Sequence, residues 1–171
     1  MRLELDKCTV RPWTLADVRD LVRYANDKAV WANLRNHFPH PYTEGDARQY
    51  INFSNSQKPL CNYAIEVNGR AAGSVGFLLK KDVYANSIEL GYWLAKEFWG
   101  QGITTCAVRA MVSYIWKEFD PIRVYACCFD WNKASGKVLT KCGFHLEARL
   151  ERHVVKDGRL GDELIYAMIK K

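Results

Sequence analysis

Residues 97–108 read EFWGQGITTCAV, with Gly100 and Gly102 two apart, just behind two aromatics and just ahead of a helical pattern. Glycines at a helix start let a backbone come close to a ligand, and the unpaired amides of a helix N-terminus favour anions, phosphates above all. A Walker loop would need a GxxxxGK[ST] run. A dinucleotide fingerprint would need a third glycine at position 105, where the chain has Thr105. Neither pattern is met. What remains is a strand, a short turn and a helix whose first amides, at Gly100, Gly102, Ile103, Thr104 and Thr105, suit an anion such as a pyrophosphate.

Working outward, residues 87–94 (SIELGYWL) alternate, with Ile88, Leu90, Tyr92 and Leu94 on one face and Glu89, Gly91 and Trp93 on the other. This predicts a strand with a carboxylate in its middle. Ile103, Ala107, Ala110, Met111 and Tyr114 follow at helical spacing, and residues 122–129 read as a strand, so this piece is a parallel crossover. A helix over 132–142 stops at Gly143, and a long hairpin with arms 144–155 and 160–169 turns at Lys156-Asp157-Gly158-Arg159. Nearer the start, a short strand over 8–12 precedes two helices opened by capping boxes, Thr14 with Asp17 and Thr43 with Asp46. Between these helices, residues 30–42 form an aromatic, proline-punctuated connection, a candidate substrate wall. Strands over 61–67 and 71–79 pair through Asn68-Gly69. The expected class is α+β: one domain over residues 1–171, with a mixed, mostly antiparallel sheet of about seven strands and helices on both faces.

Bulk properties agree with a globular domain, since 171 residues with 49% hydrophobic and 26% charged residues can bury a core. The N-terminal MRLELDKCTV lacks the apolar run of a signal peptide, and no stretch is apolar enough to span a bilayer, so a cytoplasmic protein is expected. The six cysteines show no CxxC pair, and the four histidines form no cluster. Reduced core thiols and no metal are expected. The net charge of +6 is spread along the chain, with lysine pairs only at 80–81 and 170–171 and no arginine-rich tract, so neither nucleic acid nor membrane is expected as a partner.

Glu89-Leu90-Gly91-Tyr92-Trp93-Leu94, Phe98-Trp99-Gly100-Gln101-Gly102, Asn132-Lys133-Ala134-Ser135 and Lys141-Cys142-Gly143-Phe144 resemble, in order and spacing, the GNAT acetyltransferases, in their Rim-type ribosomal-protein N-terminal branch. Trp99 and Thr104 stand where the superfamily's loop often has Arg or Gln, and Gly or Ala. The resemblance implies acetyl-CoA as co-substrate, its pyrophosphate on the amides of Trp99, Gly100, Gln101, Gly102, Ile103, Thr104 and Thr105. It also implies a splayed central strand pair that admits the pantetheine beside Trp93 and Leu94, and a pantetheine contact from Asn132, which on its own reads as a helix N-cap.

Acetyl transfer needs a neutral amine, a donor for the developing oxyanion and a proton for the departing thiolate. Glu89 is the candidate base, against the alternative of an exposed or salt-bridged strand glutamate. By resemblance, Ser135 is the candidate proton donor to the sulfur, a role that a tyrosine fills in other members, and a backbone amide near Trp93 is the oxyanion donor. Cys106, Cys127 and Cys128 have no histidine nearby in sequence to activate them, which favours direct transfer in a ternary complex over an acyl-cysteine. The acceptor wall is Trp31, Asn33 and Phe38, aromatic and mildly basic, which suits a peptide N-terminus or a small amine better than a polyamine. A non-catalytic CoA-binding module is the alternative, and the resemblance leaves a homodimer open.

Overall fold

The structure is a computed structural model that describes residues 1–170. Lys171, the second member of the C-terminal lysine pair, lies outside the described residues. The chain forms two compact units, Met1–Gly76 with Tyr92–Ala107, and Phe77–Gly91 with Val108 onward.

In the first unit the strands β1 (Leu3–Glu4), β2 (Thr9–Arg11), β3 (Asn62–Val67) and β4 (Arg70–Leu79, to Gly76 in this unit) pair antiparallel in that order. The pairing of Leu3–Glu4 with Thr9–Val10 raises the strand number to eight, one more than expected. Two residues are too few to leave a period in a sequence. Both capping boxes form. Thr14 with Asp17 opens a single 3-10 turn that leads into α1 (Val18–Ala25), and Thr43 with Asp46 opens α3 (Glu44–Ser56). One further turn of helix, α2 (Lys28–Trp31), escaped the sequence reading; it is capped by Asp27, whose side chain accepts from the amide of Ala29. Trp13, Val18, Leu21, Tyr42, Ala47, Ile51 and Ala64 make the core of this unit, with Phe38, Tyr50 and Trp93 packed at its margin.

A buried ionic cluster ties the start of this unit together. Arg11 grips Asp17 with two hydrogen bonds of 2.8 Å and donates to Glu66 at 2.5 Å, while Asp17 also accepts from the amide of Thr14. Burial pushes the Asp17 carboxyl up, but the Arg11 and Thr14 hydrogen bonds outweigh it and the net shift is downward. A depressed carboxyl stabilises the fold above its unfolded value of about 3.9, and that contribution is lost as pH falls through its lower folded value. Asp17→Asn is therefore expected to destabilise the protein by about 2–4 kcal/mol at pH 7, with a smaller deficit near pH 3. Urea unfolding at the two pH values checks this; an equal deficit at both would remove the ionic explanation.

In the second unit the strand order is β5-β6-β8-β7. It comprises β5 (Ser87–Leu94, to Gly91 in this unit), β6 (Arg123–Phe129), β7 (His145–Lys156) and β8 (Arg159–Ile169). β5 and β6 form the one parallel pair, and their registered partners are only Ser87 with Arg123, Ile88 with Val124, and Glu89 with Tyr125. Beyond Glu89 the ladder stops, while β6 stays paired along its length with β8. The expected splay of the parallel strands is thus present within this unit. α4 (Ile103–Phe119) begins in the first unit and continues in the second, and α5 (Lys133–Lys141) follows β6.

Candidate active site

In the first unit, the last residues of β5 lead through one 3-10 turn (Lys96–Phe98) into the glycine loop and α4. Gly100 and Gly102 sit at φ +76° and +78°, in the left-handed region that glycine enters without cost. The first helical bond of α4 runs from the amide of Cys106 to the carbonyl of Gly102 at 3.0 Å. Among the described residues, the amides of Gly100, Gln101, Gly102, Ile103 and Thr104 carry no hydrogen bond, so five donors are left over one turn. Trp99, included in the expected cradle, spends its donors on the fold: its amide goes to the carbonyl of Lys96 at 3.1 Å and its indole to that of Leu94 at 2.7 Å. It holds the loop in shape.

Lys7 is a residue that sequence reasoning missed. Its ammonium donates to the carbonyl of Gln101 at 2.8 Å and lies 3.3 Å from where a Cβ on Gly102 would be. A positive charge held by a carbonyl of the loop that carries five free amides strengthens the case for an anion there. No local pattern marks Lys7, because its partner is 94 residues away.

The expected acceptor residues lie in the same unit. Phe38 packs on Tyr42 and edge-on against Trp93, with ring centroids 5.0 and 5.9 Å apart, and Trp31 stacks on His40 at 5.3 Å. Trp31 also donates its indole to the carbonyl of Phe38, whereas Asn33 turns back to the carbonyl of Ala29. Phe38, Tyr42 and Trp93 therefore form one aromatic group, to which the Trp31 indole is tied through the Phe38 backbone. The Asn33 amide nitrogen is engaged at the end of α2.

In the second unit, Glu89 is partly buried and its carboxylate meets Lys80 at 2.5 Å and the hydroxyl of Tyr125 at 3.3 Å. Burial pulls the Lys80 ammonium down, but its hydrogen bonds to Glu89 and Tyr125 outweigh burial and hold it above its ordinary range. Burial drives Tyr125 upward. Glu89 is thus a salt-bridged carboxylate, oriented by two donors. Tyr125 was not singled out from the sequence; its pairing with Glu89 follows from the parallel register.

Asn132 caps α5, its side-chain oxygen accepting from the amide of Ser135 at 3.1 Å, which leaves its side-chain amide nitrogen available. The Ser135 side chain works against the upward push of burial on the Cys128 thiol. Burial pushes Cys128 upward, and burial beside Cys106 pushes Cys8 up to about 12. These thiols stay protonated near neutrality and are poor nucleophiles. Among the described residues, no group of three or more His, Cys, Asp or Glu side chains is placed to hold a metal, and no helix is long and apolar enough to cross a membrane.

The first unit thus carries a strand that leads into a bare amide cradle with a lysine beside it, and the second a parallel strand pair whose ladder is three residues long. Residues 7–145 match the acetyltransferase (GNAT) domain family, and the chain belongs to that family. It is 30% identical over 124 residues to the Bacillus subtilis protein provisionally named ribosomal N-acetyltransferase YdaF; the match covers 72% of this chain and 64% of that relative's length. Among solved structures, the ribosomal L7/L12 alpha-N-protein acetyltransferase RimL in complex with coenzyme A superposes with a TM-score of 0.85 at 21% identity, covering 99% of this chain and 98% of that one. The microcin C7 self-immunity acetyltransferase MccE, in complex with acetyl-CoA and AMP, gives 0.83 at 24% identity over 96% and 93%. At these identities the likeness speaks for the fold.

Proposed function

We propose that residues 1–171 work as a single acetyl-CoA-dependent N-acetyltransferase domain, transferring acetyl to a primary amine by direct attack in a ternary complex. The observation that carries the reading is the set of five free amides, Gly100 to Thr104, with the Lys7 ammonium on the same loop. Such a cradle suits the two charges of a pyrophosphate and needs no acidic or aromatic recognition of its own. Acetyl-CoA supplies an activated thioester when bound. Trp93 and Leu94 offer backbone to the pantetheine arm and to the developing negative charge, and Asn132 offers its side-chain amide. Ser135 gives a proton to the departing sulfur, and Glu89 accepts the proton of the amine, directly or through a water.

The acceptor is a peptide N-terminus or a small amine, met by the aromatic side chains of Trp31 and Phe38, with Asn33 nearby in sequence. A second reading, a CoA-binding module without turnover, is favoured by one observation: Glu89 is ion-paired with Lys80, which lowers its drive to take a proton. One assay separates the two. Release of free CoA thiol from acetyl-CoA is followed with peptides of varied first residue, small amines, a polyamine and an aminoglycoside. Amine-dependent release with alpha-amines is the expected result, whereas tight acetyl-CoA binding with no release above hydrolysis for any amine would establish the module.

A further inference from the structure

The outer stripe of α5 carries Lys133, Lys137 and Lys141, spaced four residues apart and all exposed. Together with β7 and β8 they line a concavity of about 520 Å³. Among the described residues, none of the three ammonium groups has a carboxylate partner, whereas Arg149 on the same concavity is neutralised by Asp162. Like charges at this spacing work against the helix that bears them, so the stripe is maintained at a cost to α5.

The floor and far wall differ in chemistry from the rim. Leu146 of β7 is 52% exposed there. The hydroxyl of Tyr166 makes no hydrogen bond to the described protein, and a Cβ on Gly136 would meet it at 2.7 Å. Any side chain at 136 would push that hydroxyl aside, so glycine lets it lie against the helix. The concavity therefore offers three unneutralised cations on one side, an apolar wall on the other and a free hydroxyl between.

We propose that this groove docks an extended, acidic segment of a partner protein, with carboxylates at alternate positions and apolar side chains between them. The spacing argues for it. Successive lysines rise about 6 Å along the helix, and every second side chain of an extended chain recurs at about 6.6 Å on one face. Acidic residues at i, i+2 and i+4 thus meet the three lysines in turn, while the intervening side chains face Leu146. Single-stranded nucleic acid also presents regular charges, but it binds through exposed rings on which bases stack, and Tyr166 is the one ring on this concavity. None of the three lysines, nor Leu146, has a part in the acetyl-transfer reading; Asn132, at one end of the same concavity, is the residue that reading assigns to the pantetheine.

A fluorescein-labelled peptide with Asp and Leu alternating over ten residues tests the proposal by polarisation at low salt. Binding is expected, at least tenfold weaker for the K133Q/K137Q/K141Q variant and for a peptide of the same composition with its acids in one block. Leu146→Asp, an exposed change that leaves α5 intact, should weaken binding as well, and circular dichroism verifies that both variants are folded. Acetyl-CoA affinity, measured in parallel, should be unchanged in both. Equal peptide affinity for wild type and the folded lysine variant, or tighter binding of oligo(dT) of matched charge, overturns the proposal.

Discussion

Glu89→Gln is expected to bind acetyl-CoA as wild type does and to turn over about 10² to 10⁴ times more slowly near pH 7, the size of a lost general base. Gln keeps the length of the side chain and can still accept from Tyr125, so the local packing of β5 and β6 survives. What disappears is the site for the amine's proton. The structure adds a second consequence: Lys80 loses its counter-charge. Lys80→Met in the wild-type background should therefore act in the opposite sense on basicity, because it removes the ammonium that faces a partly buried carboxylate. Its pH–rate profile should move to higher pH relative to wild type. For Glu89→Gln, raising the pH should restore part of the rate, because an alpha-amine with a pKa of about 8 then arrives neutral, whereas a lysine-like amine near 10.4 recovers later. Wild-type turnover of Glu89→Gln at pH 7 would make Glu89 a structural partner of Lys80 and Tyr125 and leave deprotonation to solvent.

Gly102→Val should weaken acetyl-CoA binding at least tenfold, about 1.4 kcal/mol. Space is not the obstacle, since the nearest atom to an added Cβ is the tip of the Lys7 side chain, which can swing away. The backbone is. A β-branched residue at φ +78° is a genuine outlier, so the loop should relax toward negative φ and turn the amides of Gly102 and Ile103 out of the cradle. Gly102→Ala should show a smaller loss in the same direction, as alanine tolerates the left-handed region better than valine. Calorimetry on the folded variants decides the matter; an unchanged affinity for Gly102→Val would move the anion site away from this loop.

Much of the local structure was legible in the sequence because the interactions that set it span four residues or fewer. The capping boxes at Thr14 and Thr43, the Asn132 cap and the Asn68-Gly69 turn each join residues that are neighbours in the chain. The alternation over Ser87–Leu94 marked a strand and put Glu89 off its buried face, and the unmatched glycine loop pointed to a phosphate before any family did. The order of these motifs carried the family as well.

What the sequence could not supply was the identity of partners brought together from afar. β1 and α2 are too short to show a period, with two and four residues. The Lys7 ammonium reaches the glycine loop across 94 residues, and Lys80 and Tyr125 reach Glu89 across 9 and 36. Trp99 and Asn33 looked like free contact residues until the folded chain took up their donors. Periodicity and caps depend on backbone geometry that each short segment carries with it. The charge on a carboxylate, the freedom of a side-chain donor and the counter-ion of a loop depend on strand register and packing, which only the folded chain decides.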